Sequence, residues 1–398
     1  MKKRVIGIFT GNRAEYGLQF PILKAINSHP ELEYRLVVSG AHLDKNFGKT
    51  LAEIEKDGFK VSSEVKIDLE EDTLYATAQA IGSGVVNISK ALAEIRPDIW
   101  VVYADRFEGF AAVIAGTQMN IPTAHIEGGD VTEGGALDDS VRHAMTKLSH
   151  LHFTTNENAA NRIRTMGEEA WRVHNVGFPA IDMIAAGSFA KPADLADKYG
   201  LDLARPVVLF TQHSVTTQFE EAIAQTRPAL EALEILARGG VQVILTYPNN
   251  DAGGRAIISE LEKFAANKIP NTKLHRSLGR FNYHGMLALC GKGSKAGGAC
   301  VGNSSSGIKE TPAFGCPTVD IGTRQDGRLS ATNVIHTGYG RDEILNAIRR
   351  CIEDQKFIEN CHSCENPYGV GDAGKKIAEV LAKTELGAKI ITKKMTIL

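Results

Sequence analysis

The sequence has little of what marks a membrane-bound, secreted or nucleic-acid-binding protein. Its 398 residues contain no apolar run near the roughly 18 residues that a transmembrane helix requires. Six cysteines in this length do not make a disulfide framework. Lysine and arginine number 45 against 47 aspartates and glutamates, without long runs of one sign, which disfavours charge-driven binding to nucleic acids or membranes. We therefore expect a cytoplasmic protein.

Several common nucleotide-binding and catalytic motifs are also missing. TGNRAEYG (10–17), after the first apolar run, is not G-x-G-x-x-G, and GKT (48–50) lacks the upstream glycine of a P-loop. GNSSSG (302–307) is not G-x-S-x-G, and no H-E-x-x-H occurs. NAD-dependent enzymes, P-loop NTPases, serine hydrolases and zinc proteases of the H-E-x-x-H type are thus disfavoured.

The sequence does contain short β-branched runs that alternate with helical periodicity. Buried strands alternating with helices form parallel sheets with right-handed crossovers. The predicted strands are 5–9, 34–40, 98–104 and 122–127, then 206–212, 241–247, 273–277, 298–303 and 317–322.

The length exceeds what one hydrophobic core usually supports, and the pattern is interrupted at 187–200. The sequence therefore predicts an α/β protein with two doubly wound, Rossmann-like domains, 1–186 and 187–371, facing each other across a cleft. Ligands of such sheets bind beyond the carboxyl ends of the strands.

The strand-end loops of the second half suit a nucleotide diphosphate. GACVGNSSSGIKE (298–310) runs from a strand through a Gly-Asn-Ser turn into a predicted helix, whose free N–H groups and hydroxyls suit a phosphate. One serine could instead simply cap that helix. Glu310 suits the hydroxyls of a ribose, or is a solvated helix residue.

Other strand ends carry further candidates, each of which could alone be a structural turn. In the second half these are His213, Asn249, Asp251, Arg324 and Arg328. In the first half, Arg13 and Arg106 follow strands and offer guanidinium groups to phosphate oxygens.

The segment HIEGGDVTEGGALDDSVRH (125–143) is rich in glycine and acidic residues, so it could hold a metal, bind a nucleotide or move protons. The histidines lack recognised ligand spacing, which disfavours a metal. Asp139 shares a helical face with His143 and is a candidate for catalysis. It could equally cap the start of the helix. Asp130 and Glu133 are interpreted as solvated loop charges. His150 and His152 alternate on a following strand and are interpreted as packing or polar-network residues.

Seven segments in this order resemble the hydrolysing UDP-N-acetylglucosamine 2-epimerases of sialic-acid synthesis. They are TGNRAEYG, ADRFEG (104–109), AHIEGGD with LDDSVRHAMTKLSH, QHSVTT, PNNDAG, GNSSSGIKE and GTRQDGR, and they span about residues 4–330. The chain departs from the non-hydrolysing branch, which usually has a GTRPE-like start, an aspartate-threonine pair at 105–106 and SGG in place of NSSSG.

The resemblance implies a glycosyltransferase-B-like fold, with a C-terminal helix at about 372–398 packing back onto the first domain. It implies acid/base roles for Asp105, Glu127 and Asp138, of which Glu127 and Asp138 are the predicted proton-transfer pair. UDP-sugar contacts are predicted for Arg13, Arg106, His213, Asn249, Ser304, Ser305 and Glu310, together with Arg324, and His213 also stabilises the departing UDP. No metal or other cofactor is required, and a homo-oligomer, dimer or tetramer, is implied.

Three alternatives remain open. The same chemistry could act on a GDP- or UDP-linked diacetamido-trideoxyhexose, as in legionaminate-type pathways. A glycosyltransferase would need an added acceptor, whereas the acidic loop favours water. A nucleotide-sugar sensor would leave the carboxylates without a purpose.

Overall fold

The computed structural model describes residues 2–43, 51–67, 73–131, 137–249 and 253–396, without the side chains of Arg13, Ala14, Ala41, Leu74 and Thr216. The chain divides into two compact units. The first comprises Met1–Asp130, Leu137–Asp182 and Tyr368–Leu398, and the second is built mainly from Met183–Pro367.

The first unit contains a parallel sheet. Its strands are β1 (Arg4–Thr10), β2 (Leu32–Ser39), β3 (Val61–Val65), β4 (Ile99–Tyr103), β5 (Thr123–Ile126), β6 (Leu151–Thr154) and β7 (Val173–Asn175), in the order β3-β2-β1-β4-β5-β6-β7. The four strands predicted in this half are confirmed. The edge strands β3 and β7 were not predicted, because a short edge strand with an exposed face does not read as an apolar run.

Helices cover both faces of this sheet. They are α1 (Arg13–Ser28), α2 (Leu51–Lys56), α3 (Leu74–Ile95), α4 (Phe107–Gln118), α5 (Leu137–Leu148) and α6 (Glu157–Thr165). The short α7 (Ala180–Ala185) contains the boundary between the two units. Asn12 begins α1 and Asn156 begins α6, each accepting a hydrogen bond from the backbone N–H three residues on. One apolar cluster contains Ile6 and Ile8 with residues of α1, and another contains Phe9 and Trp100 with residues of α3 and α4.

The second unit repeats this architecture. Its strands are β8 (Val207–Thr211), β9 (Gln242–Thr246), β10 (Thr272–His275), β11 (Gly298–Gly302), β12 (Thr318–Ile321) and β13 (Val334–Thr337), all parallel in the order β10-β9-β8-β11-β12-β13. The five predicted strands are confirmed, and the half-exposed edge strand β13 was not predicted. The helices are α8 (Pro192–Tyr199), α9 (Ala222–Arg238), α10 (Gly254–Ala266), α11 (Gly279–Cys290), α12 (Ser306–Lys309), α13 (Thr311–Phe314), α14 (Arg341–Glu353) and α15 (Gln355–Ser363).

The C-terminal segment packs on the first unit through α16 (Ala373–Lys383) and α17 (Ala388–Ile391). Ile377, Leu381 and Ile390 belong to the same apolar cluster as β1. Buried Arg172 donates hydrogen bonds to the carbonyls of Lys389, Ile390 and Thr392 at 3.1, 2.7 and 2.9 Å, closing the end of α17. In the described ranges no helix is both long and apolar enough to cross a bilayer.

Candidate functional site

The strands β4 and β5 end in an uncommon backbone conformation. Ala104 directly follows β4 with φ 57°, and Glu127 directly follows β5 with φ 67°. A left-handed backbone at a residue other than glycine costs roughly 1–2 kcal/mol. Both positions are held by the sheet, because the Ala104 N–H donates to Ile126 O at 3.0 Å and the Glu127 N–H donates to Phe153 O at 2.8 Å. Glu127 and Asp105 thus follow the carboxyl ends of neighbouring strands.

Arg142 of α5 organises the acidic residues of this edge. Its side chain is 4% exposed and forms ion pairs with Asp105 and Asp139. It also donates to the carbonyl of Asp130 at 3.0 Å. Burial alone would lower the pKa of Arg142, but the charges of Asp105 and Asp139 raise it, so the guanidinium is a permanent cation.

Asp130 is buried, so its interpretation as a solvated loop charge was wrong. The reason is the turn before it, where Gly129 has φ 77° and lies against Ala159; a Cβ there would be 2.4 Å from the Ala159 carbonyl oxygen. Arg162 also donates to the Gly129 carbonyl. This close approach carries the chain inward, a conformation that favours glycine. Glu133 lies outside the described residues.

Asp138 and Asp139 are neighbours in the first turn of α5 with opposite environments. Asp139 is buried and forms an ion pair with Arg142. Asp138 is exposed. A carboxylate in the first turn of a helix is stabilised by the helix dipole.

The two histidines nearest Glu127 serve the framework. His125 is fully buried, with Nε2 2.6 Å from Ala104 O and Nδ1 3.1 Å from Thr146 Oγ1, so both ring nitrogens are used. Burial lowers the pKa of His125 to about 4, which keeps the ring neutral. His152 lies 3.1 Å from Glu168, as expected for a polar network.

Tyr103, the last residue of β4, is a further titratable group at this edge. Burial raises the pKa of Tyr103 well above its usual value, and the nearby charge of Glu127 raises it further. The phenol therefore stays protonated beside that carboxylate.

Two buried glutamates next to Asp105 were missed by the sequence reasoning. Glu108 forms an ion pair with Arg106 at 3.2 Å, in which Glu108 is 3% exposed and Arg106 is 51% exposed. Glu15 is buried on α1 and accepts a hydrogen bond from the Gly11 N–H at 2.8 Å. The signal was present, since TGNRAEYG and ADRFEG both contain Arg-x-Glu after a strand. The side chain of Arg13 lies outside the described residues, although its backbone begins α1.

In the second unit, His213 follows β8 and presents a neutral ring. Its Nδ1 accepts a hydrogen bond from the Asn249 N–H at 3.1 Å, which leaves the ring proton on Nε2. Burial, and then the charge of Arg324, lower the pKa of His213 to about 3. His213 is therefore a hydrogen-bond donor near neutral pH.

Asn303 ties these groups together and was not singled out from the sequence. Its side chain accepts from the His213 N–H at 2.7 Å and donates to the His213 carbonyl at 2.9 Å. Its own carbonyl accepts from Arg324 at 3.1 Å and from Gln325 at 2.7 Å. The preceding Gly302 has φ 125°, and a Cβ there would lie 2.0 Å from Thr211 O.

The serine-rich turn opens a much shorter helix than expected. The first helical segment, α12, ends at Lys309, and Pro312 cannot donate the hydrogen bond that would continue it. A full helix dipole is therefore not available. Ser305 caps α12 without a side-chain hydrogen bond, and Ser306 donates to Glu310 instead. Ser304 Oγ accepts a hydrogen bond from the Ser306 N–H at 3.4 Å, so the capping interpretation and the phosphate-binding interpretation of these serines both remain open.

Glu310 is buried, so it is not a solvated helix residue. His284 Nε2 lies 3.3 Å from its Oε1, and Ser306 donates to its other oxygen. Burial would raise the pKa of Glu310, but His284 and Ser306 outweigh it, so the pKa is lowered and the carboxylate is charged. Asp251 lies outside the described residues.

Each unit contains a parallel sheet with polar groups at the carboxyl ends of its strands. The protein is therefore a doubly wound α/β protein, as the sequence predicted. A family model described as UDP-N-acetylglucosamine 2-epimerase matches residues 24–382. The chain therefore belongs to the UDP-N-acetylglucosamine 2-epimerase family, which confirms the resemblance at the level of the family.

Curated relatives and solved structures agree with this assignment. The chain is 33% identical over 390 residues to a UDP-N-acetylglucosamine 2-epimerase of Neisseria meningitidis serogroup B, covering 96% of each. It is 30% identical to a hydrolysing UDP-N,N'-diacetylbacillosamine 2-epimerase of Legionella pneumophila, covering 99% of each. The crystal structure of UDP-GlcNAc 2-epimerase from Neisseria meningitidis bound to UDP-GlcNAc has the same fold, with a TM-score of 0.78, 20% identity, and coverage of 96% of this chain and 100% of that one.

Proposed function

We propose that this protein hydrolyses and epimerises UDP-N-acetylglucosamine, releasing UDP and N-acetylmannosamine for sialic acid or related nonulosonate synthesis. The observation that carries the proposal is the carboxylate edge of the first unit. There Asp105, fixed by Arg142, and Glu127 follow neighbouring strands. Asp138 lies in the first turn of α5, next to Asp139, which pairs with the same arginine.

The chemistry has two stages. A carboxylate removes the proton from C2 of the sugar while the C1–O bond breaks, and UDP leaves with the bonding electrons. Water then adds to the resulting C1=C2 double bond, with hydroxide going to C1 and a proton to the opposite face of C2. Two proton-transfer groups are needed, one on each face of C2.

We assign these transfers to Glu127 and Asp138. Asp105 has the contacts of an orienting group, since Arg142 already satisfies its charge. Glu127 is half-buried at its strand end, and Asp138 is exposed at the start of α5. Neither order of the two roles is favoured by these contacts.

The second unit supplies the groups that hold UDP in this proposal. The neutral Nε2–H of His213 donates to the diphosphate and stabilises charge that develops as UDP departs. Charged Glu310 accepts from the ribose hydroxyls. The remaining contacts are assigned to Asn249, Ser304, Ser305 and Arg324, with Arg13 and Arg106 from the first unit.

Incubation with UDP-N-acetylglucosamine alone in heavy water tests the reaction. We expect UDP and free N-acetylmannosamine, with deuterium at C2, in the absence of any acceptor. Release of UDP-N-acetylmannosamine would instead show a non-hydrolysing epimerase. Product without deuterium would exclude the elimination route.

A second substrate is favoured by one comparison. The Legionella relative is a hydrolysing enzyme of UDP-N,N'-diacetylbacillosamine, and the chain matches almost its full length. The alternative proposal is therefore the same reaction on a UDP- or GDP-linked diacetamido-trideoxyhexose. Competing the two sugar nucleotides in one reaction and comparing kcat/KM decides between them.

A further inference from the structure

Glu15 is a buried carboxyl that the proposed mechanism does not use. It lies in the first turn of α1, at the carboxyl end of β1, and is 5% exposed. Its Oε2 accepts a hydrogen bond from the Gly11 N–H at 2.8 Å. Among the described residues its buried Oε1 receives no hydrogen bond, and the same holds for the Oε1 of Gln19.

The unsatisfied oxygens indicate where a proton resides. Glu15 and Gln19 are one helical turn apart on the buried side of α1. A carboxylate and an amide oxygen are both acceptors, whereas a protonated carboxyl is also a donor. Asn12 Nδ2, next to Glu15 at the start of α1, is a buried donor without a hydrogen bond among the described residues. A proton on Glu15 turns its Oε1 from an unmatched acceptor into a group that can also donate.

Titratable groups from several elements lie around Glu15. From the segment that links β4 to α4 come Asp105, Arg106 and Glu108, and from β4 comes Tyr103. His42, which follows β2, lies 3.1 Å from Thr10 Oγ1, and Tyr16 of α1 donates to Asp57. Burial, and then the charge of Glu108, raise the pKa of Glu15 to about 8.

The packing around the two glutamates is tight because glycines face them. A Cβ on Gly11 would lie 3.1 Å from the Glu108 Cβ and 3.4 Å from Glu15 Oε2. A Cβ on Gly40 would lie 3.2 Å from Glu108 Oε1. Gly11 and Gly40 lie against each other in space and make room for the carboxyl groups of Glu15 and Glu108. Among the described side chains, the guanidinium group beside these two carboxyl groups is that of Arg106.

We propose that Glu15 is a positioning residue that remains a neutral acid, so that Arg106 has Glu108 as its carboxylate partner and keeps its exposed side for a phosphate of the ligand. This inference rests on the proposed function, in which that phosphate belongs to UDP. Loss of the Glu15 proton places a second negative charge next to Arg106. That charge competes for the guanidinium and repels the diphosphate.

The sign of the pH effect follows directly. Glu15 holds its proton below a pH of about 8 and releases it above. UDP affinity should therefore fall as the pH rises from 7 to 9. In turnover the same change should raise KM more than it lowers kcat, since Arg106 acts on binding.

Calorimetric titration of UDP into the full-length protein at pH 7, 8 and 9 tests this. The wild type should lose affinity by about fivefold more than Glu15→Gln over this range, an effect of the size expected for one added charge at short range in a partly exposed site. UDP ionises identically with both proteins, so the difference isolates Glu15. Glu94→Gln, an exposed glutamate of α3, should follow the wild type.

Equal alkaline losses in the wild type and Glu15→Gln would overturn the inference while leaving the proposed function intact. A wild type that binds no UDP at any pH would overturn the proposed function as well. Difference infrared spectroscopy of the wild type requires no variant. A buried protonated-carboxyl band present at pH 7 and lost by pH 9 supports the inference, and its absence at pH 7 overturns it.

Discussion

The strand ends of the two units carry opposite chemistry on the same architecture. In the first unit Asp105, Asp139 and Glu108 are carboxylates paired with arginines, and Glu15 adds a fourth carboxyl. In the second unit, the described strand ends offer serine hydroxyls, the neutral ring of His213 and the guanidinium of Arg324. The first edge carries mainly carboxyl groups, whereas the second carries mainly hydrogen-bond donors beside the carboxylate of Glu310.

This difference indicates how a single parallel fold separates two tasks. Proton transfer requires groups whose pKa lies near the working pH, whereas holding an anion requires donors that do not change charge. The proposed function assigns the tasks accordingly.

The largest effect is expected from Glu127→Gln. Removing a general acid or base costs typically 10²–10⁴-fold, so kcat should fall by about 10³. UDP affinity should stay within about twofold, because the amide keeps the shape of the side chain. Steady-state kinetics and calorimetry measure the two quantities, with Glu94→Gln as the matched control. Activity within tenfold of the wild type would remove Glu127 from the proton-transfer role.

Arg142→Met should affect stability more than any other change at this edge. It leaves Asp105 and Asp139 close together without their shared cation, and breaking a buried ion pair costs about 3 kcal/mol. Urea unfolding at pH 7 measures the loss. Exposed Arg238, which pairs with Glu234, is the control, and Arg238→Met should cost less than about 1 kcal/mol. Equal losses would contradict the organising role of Arg142.

His213→Gln tests the non-titrating edge. The amide can still donate, but not from the position of Nε2, so UDP affinity should fall by about tenfold. The wild-type affinity should show no step from His213 between pH 5 and 8, because its ring is already neutral there. A step in that range that disappears in the variant would show that His213 is charged.

Ser305→Ala is expected to have the smallest effect. Ser305 occupies the N-cap position of α12, but its side chain makes no capping hydrogen bond. Stability should therefore be unchanged while UDP affinity falls by about threefold to tenfold. Ser306→Ala is the contrasting variant, because it removes the hydrogen bond to Glu310. Calorimetry and thermal unfolding of both variants separate a ligand contact from a framework contact. Lower stability for Ser305→Ala with unchanged affinity would contradict this assignment.

Much of the fold could be predicted from periodicity, because most central strands contain an apolar run between turn residues. The central strand β6 is shorter and alternates with histidine, and it was not among the predicted apolar runs. The exceptions have physical causes. The strands β3, β7 and β13 lie at sheet edges, where exposed positions interrupt the apolar pattern. The helix after Ser305 stops at Lys309, and Pro312, which marks the break, was visible in the sequence.

Strand-end residues could be named from the sequence, but their partners could not. Asp138 and Asp139 look equivalent in the sequence, yet the second is buried against Arg142 and the first is exposed. Burial of Asp130 depends on the close approach of Gly129 to α6, which is a contact distant in sequence. Asn303 acts through its hydrogen bonds to His213, which lies 90 positions earlier. Such pairings arise only when the sheet brings the loops together.

The chain leaves and re-enters the first unit at neighbouring points. The Phe178 N–H donates to Tyr368 O at 2.6 Å, and a Cβ on Gly177 would lie 3.3 Å from the Gly369 Cα. Asp182 accepts hydrogen bonds from the N–H groups of Ala373 and Gly374 at 2.9 and 2.7 Å. Excising Met183–Pro367 and bridging the gap with a few glycines should therefore yield a free-standing first unit, and the excised segment is already contiguous.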